Sequence, residues 1–163
     1  MLRILPLART DIETVCELAR EIWQSTYLPL ISQAQIDFML ADRYAPEVLH
    51  DQMDDPRHIW RLALWKDEIA GFAHGKMDGT ACKLEKLYVR PGRQHQGLGA
   101  SLMDEVKQFA RNQNAARLRL QVNRGNTQAI SAYQKYGFSI VGAQVFDIGG
   151  GFVMDDYVME MTL

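Results

Sequence analysis

The chain has 163 residues, 47% hydrophobic and 23% charged, with 18 basic against 20 acidic side chains and a net charge of −2. That is the size of one domain with enough apolar mass for a core, and a balanced charge offers no basic field for unspecific nucleic-acid binding. The opening MLRILPLARTD is too short an apolar run for a signal peptide and no stretch is long enough to span a membrane, so a cytoplasmic location is expected.

Residues 2–7 alternate weakly and read as a first strand. Thr10 or Asp11 can cap a helix whose apolar face is Ile12, Val15, Ala19, Ile22 and Trp23. Pro29 breaks the chain, and Ser32 with Gln35 forms a capping-box pattern ahead of Ile36, Met39, Leu40 and Tyr44. Pro46 can start a short third helix ending near Asp54-Asp55-Pro56. Strands at Ile59–Trp65 and Ile69–Lys76, joined by Lys66-Asp67-Glu68, read as a hairpin, and Asp78-Gly79 marks the next turn.

The stretch from Cys82 to Asn112 organises the chain. A strand-like run, Leu84–Val89, leads through a turn with Pro91 and Gly92 into Gln94-His95-Gln96-Gly97-Leu98-Gly99, which opens a helix. Its apolar positions Leu98, Leu102, Val106, Phe109 and Ala110 follow helical spacing. A glycine-bearing loop between strand and helix can hold phosphate: bare Gly97 and Gly99 let a ligand approach the backbone, and first-turn N–H groups with the helix dipole favour an anion. A tight turn is the plain alternative. There is no G-x-x-x-x-G-K-[ST], and no G-x-G-x-x-G followed by an acid closing a βαβ unit, which argues against a P-loop ATPase and a dinucleotide dehydrogenase.

Arg117–Val122 alternates as a half-buried strand, and Asn126 can cap a helix that ends at Tyr136-Gly137. Phe138–Ile148 is a strand candidate, Gly149-Gly150-Gly151 a flexible loop, and Tyr157–Leu163 the last strand. The order is mixed α/β (α+β), antiparallel hairpins around a central strand–loop–helix, in a single domain over residues 1–163. Cys16 and Cys82 form no C-x-x-C and read as reduced, buried thiols, and His50, His58, His74 and His95 lack metal-ligand spacing, so no metal is expected.

Gln94-x-x-Gly97-x-Gly99 directly after Leu87-Tyr88-Val89-Arg90-Pro91 resembles the acetyl-CoA pyrophosphate loop of the GNAT superfamily of N-acetyltransferases. Downstream, Asn126-x-x-Ala129-x-x-x-Tyr133-x-x-x-Gly137-Phe138 resembles the later motif of that family, and with the flanking elements the resemblance covers nearly the whole chain. It implies the GNAT fold, a mixed, mostly antiparallel sheet of about seven strands flanked by helices. In that fold the strands on either side of the main helix run parallel and splay apart to admit the pantetheine arm.

Acetyl transfer to an amine must hold the thioester, remove a proton from the ammonium and supply one to the leaving thiolate. The resemblance implies acetyl-CoA as cosubstrate, with main-chain groups of Leu87 and Val89 pairing with the pantetheine as an added strand would. The N–H groups of Gln94, His95, Gln96, Gly97, Leu98, Gly99 and Ala100 would surround the pyrophosphate, and Asn126 and Tyr133 would contact the cofactor. Arg90, Arg93, Arg124 and Lys135 could reach the nucleotide phosphates, a solvated surface charge being the alternative for each. Tyr133 is the candidate acid, against a plain core aromatic. Glu85 is the candidate base: a carboxylate on the central strand is unusual unless it faces a cleft, where burial would raise its pKa. A solvent-facing or salt-bridged residue is the alternative, as is deprotonation through ordered water. His74 is a secondary candidate. A Cys82–histidine nucleophile is not needed for direct attack.

The acceptor pocket is expected between the first helices and the hairpin, near Trp23, Tyr27, Met39 and Tyr44. The short fragments Ile22-Trp23-Gln24-Ser25-Thr26-Tyr27, Phe146–Gly151 and Asp155–Met159 also resemble a bacterial subgroup that includes spermidine/spermine N-acetyltransferases, and Asp147, Asp155 and Asp156 could attract a polycation, loop-solvating or turn residues being the alternative. The expected function is acetyl transfer to a primary amine of a small molecule. Acetylation of a protein N-terminus or lysine, and acyl-CoA sensing without turnover, stay open. So does a homodimer through the late strands.

Overall fold

The computed structural model describes residues 1–163. One seven-stranded sheet runs through the molecule in the order β1-β2-β3-β4-β5-β7-β6. The strands are β1 (Leu2–Pro6), β2 (His58–Trp65), β3 (Glu68–Asp78), β4 (Ala81–Val89), β5 (Arg117–Asn123), β6 (Ser139–Gly149) and β7 (Phe152–Thr162). Helices α1 (Ile12–Tyr27), α2 (Gln33–Arg43) and α3 (Pro46–Met53) cover one face, and α4 (Leu98–Asn112) covers the other beside α5 (Thr127–Tyr136). Two cores result. Leu102, Met103 and Val106 of α4 meet Cys82, Leu84 and Leu118 of the sheet, while Val15, Ile22 and Trp23 of α1 meet Leu62 and Phe72.

Local chemistry departs from the sequence expectation in several places. Asp11 does not cap α1: a short 3-10 turn leads in, and the Asp11 carboxylate reaches back to accept from the Ala8 N–H at 3.1 Å. Ser32 does cap α2, accepting from the Gln35 N–H at 3.1 Å. Gln35 leaves the capping box half-made and donates its amide to the Val153 carbonyl at 2.8 Å, tying α2 to β7. The β2–β3 hairpin turns on Lys66 and Asp67 alone, both left-handed at φ 51° and 67°, so Glu68 belongs to the strand. The last strand starts at Phe152, five residues ahead of the expected Tyr157, because the chain reverses on Gly150 and Gly151 at φ 62° and 80°. Asp155-Asp156 hid the alternation that continues through Met154. Phe38 of α2 packs on this turn, where a Cβ at Gly150 would meet its ring at 2.8 Å.

Every strand pair is antiparallel except β4–β5. Those two run parallel and stay in register over three pairs only, Ala81–Arg117, Cys82–Leu118 and Lys83–Arg119. Beyond Lys83 and Arg119 they part, and the C-terminal half of β4 faces a gap on that side.

Candidate active site

Ladder alternation decides which way the β4 main chain points. The Arg90 N–H bonds the Ala70 carbonyl at 2.7 Å while Val89 stands opposite Gly71 and Leu87 opposite Ala73. Val89 and Leu87 therefore occupy non-hydrogen-bonded positions against β3, and their N–H and C=O groups turn to the gap. Their side chains pack on the α4 core. The Gln94 amide donates to the Val89 carbonyl at 3.3 Å, so that acceptor is free of the sheet.

Past β4 the chain curls at Gly92, His95 and Gly97, with φ 91°, 64° and 83°. Gln94, His95, Gln96 and Gly97 are exposed, and Gly97 is the left-handed residue that precedes α4. The first intrahelical bond runs from the Ser101 N–H to the Gly97 carbonyl at 3.0 Å. The N–H groups of Leu98, Gly99 and Ala100 thus have no partner within the chain and point out of the helix end. Nothing lies within 4 Å of a Cβ position at Gly97, whereas at Gly99 the Tyr136 hydroxyl already stands at 2.9 Å. The bareness of Gly97 faces solvent; that of Gly99 serves the packing of α5 on α4. An elongated amide-bearing molecule ending in a diphosphate fits these groups: unpaired strand edge first, free helix-end amides second. Arg90 sits 3.8 Å from Glu21, and Arg124 is bonded to Asp155 at 2.8 Å with its guanidinium over the Tyr157 ring, so Arg124 is not free for phosphate.

Tyr27 of α1 and Tyr88 of β4 pair, and Tyr133 of α5 lies within electrostatic reach of both. The Tyr27 and Tyr88 hydroxyls bond at 2.9 Å. Tyr133, half-buried on α5 with Phe138 against its ring at 5.8 Å, makes no side-chain hydrogen bond. Burial first, and then the Tyr27 and Tyr136 hydroxyls, hold its pKa well above the ordinary phenol value. Tyr133 is a neutral O–H donor across the working pH range. Asn126 spends its side-chain oxygen on the Ala129 N–H at 3.3 Å, capping α5, and keeps its amide N–H groups free.

On the α1–α3 side, Glu85 is the extra residue of a β-bulge: Leu84 faces Gly75 and Lys86 faces His74, leaving Glu85 without a partner. The bulge puts two successive side chains on one face. Glu85 and Lys86 both line a cavity of about 280 Å³ with Trp23, Arg43, His58 and His74. The Glu85 carboxylate is half-buried, 3.7 Å from the Lys83 amine. Lys86 is buried, and His74 bridges it to His58. Nothing in the sequence flags Lys86 or Tyr88, since a bulge and its effect on alternation leave no local mark. Met39 and Tyr27 are core, while Trp23 donates to the Tyr44 hydroxyl at 3.2 Å at the cavity wall.

Of the three late carboxylates, Asp147 closes the glycine turn through the Gly149 N–H at 2.9 Å and Asp155 holds Arg124. Asp156 is 5% exposed, with Oδ1 unpartnered, and burial raises its pKa to about 6. Cys82 lies in the α4 core, where burial raises its thiol to about 11, too high for a nucleophile near neutral pH. No group of three metal-ligating side chains exists, and no helix is long and apolar enough to cross a membrane.

Comparison with known proteins agrees with this geometry. A family model described as the acetyltransferase (GNAT) family matches residues 12–138. The spermidine N(1)-acetyltransferase of Thermoplasma acidophilum is 28% identical over 158 residues, 94% of this chain and 96% of the relative. The crystal structure of the PaiA N-acetyltransferase from that organism in complex with coenzyme A superposes with a TM-score of 0.86 at 26% identity, covering 100% of this chain and 99% of the other. A Bacillus anthracis acetyltransferase structure in complex with acetyl coenzyme A gives a TM-score of 0.63 at 25% identity over 70% of this chain and 67% of its own.

Proposed function

This chain belongs to the acetyltransferase (GNAT) family, and from that premise we propose direct acetyl transfer to a primary amine of a small molecule. The protein is an N-acetyltransferase with acetyl-CoA as cosubstrate. The observation that carries the reading is the parting of β4 from β5 after three registered pairs, with the Leu87 and Val89 main chain turned into the gap.

Leu87 and Val89 hold the pantetheine amides by backbone pairing. The segment Gln94 to Ala100 wraps the diphosphate, the free N–H groups of Leu98, Gly99 and Ala100 giving the helix-end contacts. Asn126 adds an amide contact from the start of α5. A main-chain N–H near Val89 stabilises the oxyanion. Glu85 draws the acceptor's ammonium to the reaction side of the sheet and takes its proton, directly or through water. Tyr133 donates to the departing sulfur.

The cavity beside Glu85, about 280 Å³, has room for a small amine. A polyamine acceptor is the specific candidate, supported by the spermidine-acetylating relative. The test is calorimetric titration with acetyl-CoA, then CoA release over a panel of amines and peptides. Release with small amines and none with peptides is expected. Binding without release for any acceptor would make the protein a sensor.

A further inference from the structure

The cavity beside the bulge holds a base that the transfer scheme has not used. Lys86 is 7% exposed. Its Nζ lies 3.2 Å from His74 Nδ1, and 5.2 and 5.4 Å from the ring centroids of Tyr44 and Trp60. No carboxylate comes within 4.0 Å of it, because its neighbour Glu85 leans toward Lys83 instead. A buried ammonium with no counter-charge is costly, and the cost is relieved by losing the proton.

His74 is built to orient this lysine without neutralising it. Its ring is stacked on Trp60 at 4.6 Å and on His58 at 5.1 Å, and its Nε2 is 2.8 Å from His58 Nδ1. Burial, and then the Lys86 charge, keep the imidazole neutral. With the ring proton on Nε2 and donated to His58 Nδ1, His74 Nδ1 accepts from Nζ and carries no negative charge. Burial lowers Lys86 to about 8, with Arg43 of α2 and Lys83 of β4 pushing the same way and Glu85 opposing. Of the other ionisable groups on the cavity, Asp42 and Tyr44 come from α2 and its end, His58 from β2, and Lys76 from β3. Helices α1 and α3 contribute only the uncharged Trp23, Val48 and Gln52.

We propose that neutral Lys86 is the final receiver of the acceptor amine's proton, with His74 as its positioning residue. The inference rests on the acetyl-transfer reading above. In the step, one N–H bond of the ammonium breaks and an O–H bond forms on Glu85. The freed lone pair makes the C–N bond at the acetyl carbonyl as the C–S bond breaks. Tyr133 gives its proton to sulfur and is restored by the second surplus proton on nitrogen. The Glu85 O–H then breaks as its proton passes through cavity water to Lys86, where a third N–H forms, and Lys86 releases it to solvent. A protonated Glu85 cannot attract another ammonium, and the bulge places the group that recharges it beside it on the same face.

The test compares Lys86→Met and Lys86→Arg with wild type on two acceptors: an alkylamine, protonated at neutral pH, and an arylamine, which is not. Lys86→Met should lower kcat for the alkylamine about 100-fold while leaving the KM for acetyl-CoA unchanged. It should lower kcat for the arylamine by no more than about threefold and remove the acid limb of the kcat profile near pH 8. Lys86→Arg keeps a cation over the two rings but cannot give up its proton, so it should fail in the same way; it is the variant to read if Lys86→Met does not bind acetyl-CoA. Equal losses on both acceptors, or an acid limb unmoved by either substitution, would overturn the proposal. So would wild-type protein that releases CoA with no amine, which would remove the transfer reading too. Turnover by wild type with an unaffected Lys86→Met removes the Lys86 assignment alone.

Discussion

Burial raises the pKa of both Tyr133 and Asp156, with different consequences. Tyr133 is protonated at neutral pH, as any phenol is, and its proton is the one given to sulfur in the proposed transfer, so Tyr133→Phe should depress kcat by about 100-fold. The affinity for acetyl-CoA, read by calorimetry, should stay within a factor of two of wild type on the order expected for one lost weak contact. For Asp156 the cost falls on stability. The carboxyl has a folded pKa of about 6 against an ordinary 3.8, so between those values the folded chain keeps a proton that the unfolded chain has shed. Stability therefore falls as pH rises from about 4 to about 6 and stays lowered above. Asp156→Asn should stabilise the protein by roughly 1–3 kcal/mol at pH 7.5 and change little at pH 4, as urea midpoints at the two pH values would record. Motif spacing drew attention to Tyr133. It could not separate Asp156 from Asp147 and Asp155, because all three look like loop acids until pairing shows which one lacks a partner.

At the scale of elements, the loop before α4 concentrates the chemistry in its backbone. Gly97 sits at φ 83°, where a β-branched residue is strained before any ligand arrives. Gly97→Val should weaken acetyl-CoA at least tenfold, on the order of the 1–2 kcal/mol that a left-handed β-branched residue costs, with the melting temperature shifting by only a few degrees. Wild-type affinity in that variant would count against the diphosphate assignment. Gly99→Ala tests something else. Its methyl would meet the Tyr136 hydroxyl at 2.9 Å, so it should loosen α5 and displace Tyr133 one turn earlier, costing kcat more than affinity. The helices and most strands were legible from apolar spacing and from Pro and Gly punctuation. Two features were not. The bulge at Glu85 depends on pairing with β3, and the early start of β7 depends on a turn whose glycines sit under Phe38. Both are set by tertiary contact.

For the whole molecule, β6 is an eleven-residue edge strand with one side unpaired, and Val141 and Val145 on it are 56% and 58% exposed. Such an edge invites pairing with a second copy, and the homodimer that the sequence leaves open would form there. Val141→Lys with Val145→Lys should convert a dimer to monomer in light scattering. A dimer that survives both lysines would move the contact elsewhere. The three-pair junction between β4 and β5 has a wider meaning. It divides the strands into two rafts, β1–β4 and β5–β7, moored along a short seam. The softest line of the architecture is also its reactive line. Whatever fills that seam lashes the rafts together, so bound protein should exchange amide hydrogens more slowly on distant β7 as well as beside the ligand.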